Sequence, residues 1–403
     1  MLKLKTAEQS LHSTGSAGVN LRSLVLILLA IEFLDELVFG TREAAWPLIR
    51  DDLQLSYTQV GILLSVPNVV GNLIEPPIAI LSDIWKRRVL ILLGGMFFAA
   101  SLLLTAISNS FPVLLAAFIL MNPASGMFVS LSQAVLMDSD HARQEQNMAR
   151  WEFSGSLGNV TGPLALAAFL LLGLGWRSLY LALFLLTLAL IAAAWRFPLT
   201  KITTFAEQTE SPALMNGVRD ALHALKRREV WRWVILLEFA DLTMDGLKGY
   251  LALYLVDIAR VSETQAGLGV FVWTCASLPG YVLLIRLLER VRGLRYLRYS
   301  ALFVAALFIA FLLVPGVLVK LIFLGLLGFA NAGWYSILKA QLYKTMPGQS
   351  GTVLAVANIA GLVGALTPLG LGIIAGRYGL PAAMWLMLLG PIALLCALPR
   401  VRS

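Results

Sequence analysis

The chain has 403 residues, 59% of them hydrophobic and only 13% charged, with a mean hydropathy of +0.80. Soluble globular domains carry about 25% charged residues, so this composition excludes a water-soluble enzyme, a nucleic-acid-binding domain and a disordered polar chain. The net charge of +8 then reads as basic loops set against anionic lipid.

Residues 1–20 are polar and lack the apolar core and cleavage site of a signal peptide, so they are expected to form a disordered cytoplasmic tail. A bilayer-crossing helix needs about 20 apolar residues. Twelve stretches meet that need, at roughly 22–41, 57–81, 89–108, 111–137, 152–173, 176–196, 231–255, 264–288, 297–316, 320–343, 351–375 and 379–398; they are numbered below as spans 1 to 12. The stretch 198–230 divides a half of six spans (21–197) from a second (231–403). Within it, Val218, Ala221, Leu222 and Leu225 fall at helical spacing before a Lys226-Arg227-Arg228 cluster. That pattern fits an amphipathic interfacial helix or a plain linker. An even span count puts both termini on one side. Lys and Arg number 24 on that side and 7 on the other, which predicts a multi-pass plasma (inner) membrane protein with both termini cytoplasmic.

The halves align without a gap at an offset of 206 residues. Over 31–61 against 237–267, nine of 31 positions are identical: Glu32/Glu238, Phe33/Phe239, Asp35/Asp241, Gly40/Gly246, Asp51/Asp257, Ser56/Ser262, Thr58/Thr264, Gln59/Gln265 and Gly61/Gly267. Arg42 faces Lys248, and Asp83 faces Glu289 in the loops after spans 2 and 8. Parallel six-helix repeats with a site between them are a transporter architecture.

Three further segments carry a family resemblance. The loop after span 2, AILSDIWKRR, keeps Leu81, Asp83, Arg87 and Arg88, with Ala79 and Lys86 where the family motif has glycine. Span 5 contains GNVTGP, with Gly158, Gly162 and Pro163, and span 4 has Asn122 where the family pattern has arginine. With the repeat and the topology, the chain resembles the major facilitator superfamily, most of all its 12-helix drug and small-molecule efflux members. The resemblance implies an all-α membrane fold of two pseudo-symmetric six-helix bundles, with spans 1, 4, 7 and 10 lining a cavity. It implies a gate at Asp83, Arg87, Arg88 and Glu289. Asn122 in place of the arginine argues against a proton relay through span 4.

Acids within spans are the chemical signal, because a carboxylate in a membrane helix is costly unless it faces a cavity and serves a function. Glu32, Asp35, Phe39 and Arg42 form one stripe of span 1; Glu238, Asp241, Asp245 and Lys248 repeat the spacing in span 7. Glu36 adds an acid beside the first stripe, and Glu75 precedes the Pro76-Pro77 break of span 2. Apolar burial and like charges favour the neutral carboxylic acid. These seven acids are therefore candidates for proton or cation coupling, with substrate recognition and structural pairing as alternatives. Phe39, Arg42, Asn122, Gln133, Lys248, Tyr250, Asn331, Trp334 and Tyr335 are candidates for the substrate cavity. Gly158, Gly162 and Pro163 form a small-residue packing face.

Cys275 and Cys396 lie far apart in apolar runs, and His12, His141 and His223 have no ligand spacing, so no disulfide framework, metal or cofactor is expected. Catalytic motifs are absent. The expected function is secondary transport of a small molecule by a monomer in the lipid bilayer, as a proton-coupled antiporter driving efflux. Uptake or facilitated diffusion of a metabolite or lipid-like molecule, and a non-transporting receptor on the same fold, remain the alternatives.

Overall fold

The computed structural model describes residues 2–84, 87–138, 144–196, 227–288, 290–345, 356 and 361–399. Every element among them is helical. Span 1 is one helix, Leu2–Asp52, followed by Tyr57–Ile84 and Arg87–Ile107 as spans 2 and 3. Span 4 is Phe111–Ser125, a π-turn Gly126–Ser130 and Leu131–Asp138. Spans 5 and 6 are Gln144–Leu171 and Trp176–Arg196. The second half opens with Arg228–Asp257, Glu263–Leu288 and Gly293–Leu313 as spans 7 to 9. Span 10 joins Val317–Ala330 to Trp334–Thr345, span 11 holds Thr367–Tyr378, and span 12 joins Leu380–Leu386 to Leu389–Ala397.

Nine of these helices, among the described residues, are long and apolar enough to cross a membrane. The three that fall short are spans 1, 2 and 7. They carry Glu32, Glu36, Asn68, Asn72, Glu75, Glu238, Asp241, Asp245 and Lys248 of the candidate site, so their polarity belongs to the cavity side of the helix. The first helix also takes in residues 2–20, expected to be irregular; its only proline is Pro47, so no residue in that stretch breaks the backbone ladder. The proposed amphipathic helix at 218–230 lies almost wholly outside the described residues.

Packing repeats with the sequence. Span 2 packs on span 4 as span 8 does on span 10, span 3 on span 6 as span 9 does on span 12, and span 1 on span 6 as span 7 does on span 12. The halves meet through spans 2 and 11, 5 and 8, and 1 and 7. The turns after spans 1 and 7 are also copies. Gln54 and Arg260, 206 positions apart, are the two described non-glycine residues with positive φ, at 50° and 58°. After each turn a Ser-x-x-Gln capping box starts the next helix. Ser56 N–H donates to Gln59 Oε1 at 2.9 Å and Gln59 N–H to Ser56 Oγ at 3.2 Å; the Ser262–Gln265 distances are 3.2 and 3.3 Å. These polar identities are kept because both spans need the same cap.

The face that carries these turns, here the distal face, is closed. Arg50 pairs with Asp257 across the halves, and Tyr57 Oη donates to the same carboxylate at 2.6 Å. Thr58 Oγ1 donates to Gly372 O at 3.4 Å, and Leu369 N–H to Ser65 Oγ at 2.8 Å.

Candidate transport site

Two chambers lie between the halves. The first, about 320 Å³, is lined by Asn68, Gly71, Asn72 and Glu75 of span 2, Asn122 of span 4, Glu238, Asp241 and Asp245 of span 7, and Gly361 and Gly364 of span 11. The second, about 230 Å³, is lined by Glu32 and Glu36 of span 1, Glu152, Gly155 and Asn159 of span 5, Lys248 of span 7, and Thr274, Ser277, Leu278 and Tyr281 of span 8. The chambers are copies of one another. At the offset of 206, Glu32, Asn68, Gly71, Asn72, Glu75 and Gly155 become Glu238, Thr274, Ser277, Leu278, Tyr281 and Gly361, and each residue lines its own chamber. The positions are shared and the chemistry has diverged.

In the first chamber Glu75, Glu238, Asp241 and Asp245 have no hydrogen-bond or ion-pair partner among the described residues. Glu238 lies against Gly364, where a Cβ would overlap its carboxylate. Asn122 Nδ2 donates to Asn68 Oδ1 at 2.9 Å. Asn122, at the expected arginine position, thus joins span 4 to span 2 as a neutral amide.

The second chamber contains a cation. Lys248 Nζ donates to Asn159 Oδ1 at 3.1 Å and lies 4.6 Å from the Phe39 ring centroid, while Asn159 Nδ2 donates to Glu36 Oε2 at 2.7 Å. One amide thus connects a lysine of one half to a glutamate of the other. Glu32 is 9% exposed and has no hydrogen-bond partner among the described residues.

Asp35 points elsewhere, accepting Ser125 Oγ at 2.9 Å. Ser125 directly precedes the π-turn of span 4. Such turns interrupt the helical ladder and re-aim neighbouring side chains, frequently at functional sites.

Arg42 does not enter either chamber. It is buried, stacks 4.7 Å from the Phe39 centroid and pairs with the buried Glu43 at 3.3 Å. Arg42 Nε, Glu43 Oε2, Trp46 Nε1 and Tyr180 Oη are buried without partners among the described residues. Sequence reasoning missed Glu43, Asn68, Asn72, Glu152 and Asn159. Glu43 stood directly beside the predicted stripe, and a search for acids and amides within apolar runs would have found all five.

Of the expected aromatic wall, Phe39 lies beneath Lys248, whereas Trp334, Tyr250 and Tyr335 are not in the lining of either chamber. Trp334 is fully buried and its indole N–H bonds Ser300 Oγ; Tyr250 is buried and donates to Pro368 O at 2.7 Å. Tyr335 lies beneath the Lys339 ammonium, 5.0 Å from its ring centroid. Asn331 is buried where span 10 breaks, and Gln133 lies on span 4; neither lines a chamber. Of the gate residues, the Asp83 side chain and Glu289 lie outside what is described. Arg88 donates to Trp195 O at 2.6 Å within its own half, and Arg87 begins span 3 beside it.

Gly158 and Gly162 lie against span 1. A Cβ on Gly158 would overlap Phe33 O, and one on Gly162 would overlap Thr41 N, so spans 1 and 5 touch backbone to backbone. Pro163 follows inside the same helix.

A family model described as Major Facilitator Superfamily matches residues 28–368. The fosmidomycin resistance protein of Escherichia coli is 23% identical over 332 residues, covering 79% of this chain and 78% of its own. The nucleoside transporter NupG superposes with a TM-score of 0.77 at 13% identity, over 93% of this chain and 98% of that one. A bacterial homologue of the human lysosomal transporter Spinster, in an inward-facing and unoccupied conformation, gives 0.69 at 16% identity over 94% of each chain. The all-α architecture, the membrane-embedded spans and the absence of catalytic machinery in the sequence agree with this match, and the chain belongs to the Major Facilitator Superfamily of small-molecule transporters.

Proposed function

We propose that the protein is a secondary active exporter that carries a small organic molecule across the plasma membrane by alternating access, in exchange for protons. One observation carries this reading: Glu75, Glu238 and Asp241 in one chamber and Glu32 in the other line the space between the halves with no ion-pair partner among the described residues. An ionised acid at membrane depth costs about 2.5–3.5 kcal/mol on insertion scales. Protonation removes that cost, and exposure to the opposite side releases the proton. Rocking of the halves about spans 1 and 7 supplies the alternation. Closure of the distal face by Arg50, Tyr57 and Asp257 supports an inward-facing state, and the 24:7 distribution of basic residues supports cytoplasmic termini.

Flux in liposomes with and without an imposed pH gradient tests the proposal. Gradient-dependent accumulation is the expected result. Equal flux with and without the gradient makes the protein a facilitator, and binding without flux makes it a receptor.

A further inference from the structure

We propose that the transported solute is a hydrophilic aliphatic cation bearing two or more ammonium groups, held in the chamber of spans 2, 4, 7 and 11. This rests on the transport reading above and adds the substrate class.

The argument begins with the repeat. In the second chamber the carboxylates Glu32, Glu36 and Glu152 are accompanied by an ammonium the protein supplies, Lys248, seated on Asn159 and over Phe39. The repeat-related first chamber has four carboxylates, Glu75, Glu238, Asp241 and Asp245, and no lysine or arginine among the described residues of its lining. An ammonium thus lines one copy and, among the described residues, does not line the other.

The rest of the lining narrows the class. Asn68, Asn72 and Asn122 offer amide oxygens that accept N–H donors. Among the described residues no aromatic side chain lines this chamber, and Leu242 is the one large apolar side chain in its lining. A lipophilic aromatic cation finds no wall to stack on. At about 320 Å³ the chamber sits at the small end of ligand pockets, which span about 300–1,000 Å³. A metal ion is disfavoured, because among the described residues no group of three or more metal-ligating side chains is placed to hold one.

Charge and spacing set the valence. A monovalent cation neutralises one of four carboxylates. Glu238, Asp241 and Asp245 follow i, i+3, i+7 on one helical face, which spreads them over roughly 10 Å of axis at 1.5 Å per residue. A linear chain with separated ammonium groups matches a ladder of that length.

The test is counterflow into liposomes preloaded with unlabelled solute, which needs no pH gradient. The labelled probes are 1,4-diaminobutane and spermidine, with 1-aminobutane, butane-1,4-diol, butanedioate and tetraphenylphosphonium as comparators. The expected result is counterflow of the two polyamines, at least ten-fold weaker for 1-aminobutane and absent for the diol and the dianion. Asp241→Asn and Glu238→Gln, checked for wild-type elution on size exclusion, are each expected to weaken polyamine flux at least ten-fold. Counterflow of tetraphenylphosphonium, the diol or the dianion without that of the polyamines overturns the substrate class and leaves transport standing. Absence of counterflow for every probe overturns the class as well; if a pH gradient also moves no spin-label distance across the distal face, the transport reading fails with it.

Discussion

Lys248 of the second half donates to Asn159 of the first at 3.1 Å, and the same amide donates to Glu36. This bridge crosses the interface that the proposed alternation opens. Lys248→Met keeps the length of the side chain and removes the donor, leaving a part-buried acceptor unsatisfied at a cost of about 1–3 kcal/mol. Spin labels at the exposed distal positions Leu172 and Leu318, one in each half, are expected to move apart in this variant. Unchanged distances would reduce the bridge to an incidental contact.

Thr58 and Gly376 meet across the closed distal face; a Cβ on Gly376 would lie 2.9 Å from Thr58 Oγ1. A Thr58→Cys/Gly376→Cys pair, with Cys275 and Cys396 replaced, is expected to cross-link on oxidation and to lose flux, regaining it on reduction. Full flux in the cross-linked protein would mean that this face does not need to open.

Gly158 and Gly370 give a matched packing test. A side chain at Gly158 collides with the span 1 backbone, whereas one at Gly370 meets open space. Gly158→Leu should destabilise by about 1–3 kcal/mol or more through overpacking, seen as a lower melting temperature in detergent. Gly370→Leu should melt with the wild type. Equal melting of the two variants would contradict the backbone-to-backbone contact of spans 1 and 5.

Much of the fold was legible in the sequence. Apolar runs place the helices, and the offset of 206 residues pairs Glu32 with Glu238 before any contact is known. The Ser-x-x-Gln caps were visible as identities, though a capping box would have explained them. The lining of the chambers was less legible. A helical stripe says which residues share a face, not which neighbour that face meets. Asp35 and Glu32 share a stripe, yet Asp35 turns to Ser125 while Glu32 faces span 5. Trp334 looked like a cavity wall and instead bonds Ser300 inside its own half. Asn159 stands out as an amide within an apolar run, but its role as a bridge between Lys248 and Glu36 emerges only once the two halves are packed.

Orientation rests on charge. A single cysteine within 198–230, in a background without Cys275 and Cys396, is expected to react with a membrane-impermeant maleimide only after the cytoplasmic side is exposed. Labelling from outside intact cells would invert the topology and turn the closed distal face inward.

The central claim, that carboxylates of spans 1 and 7 couple solute movement to protons, is tested by comparing gradient-driven flux with substrate-for-substrate exchange. The variants are Asp35→Asn, Glu32→Gln, Asp241→Asn and Glu238→Gln, measured with whichever solute the wild-type protein carries. A coupling acid, once neutralised, should abolish accumulation driven by the pH gradient while exchange persists in part; a substrate ligand should lose both. The account predicts the first pattern for Asp35→Asn and Glu32→Gln, and loss of both activities for Asp241→Asn and Glu238→Gln. Wild-type gradient-driven flux in all four variants would contradict it and leave these acids a structural role.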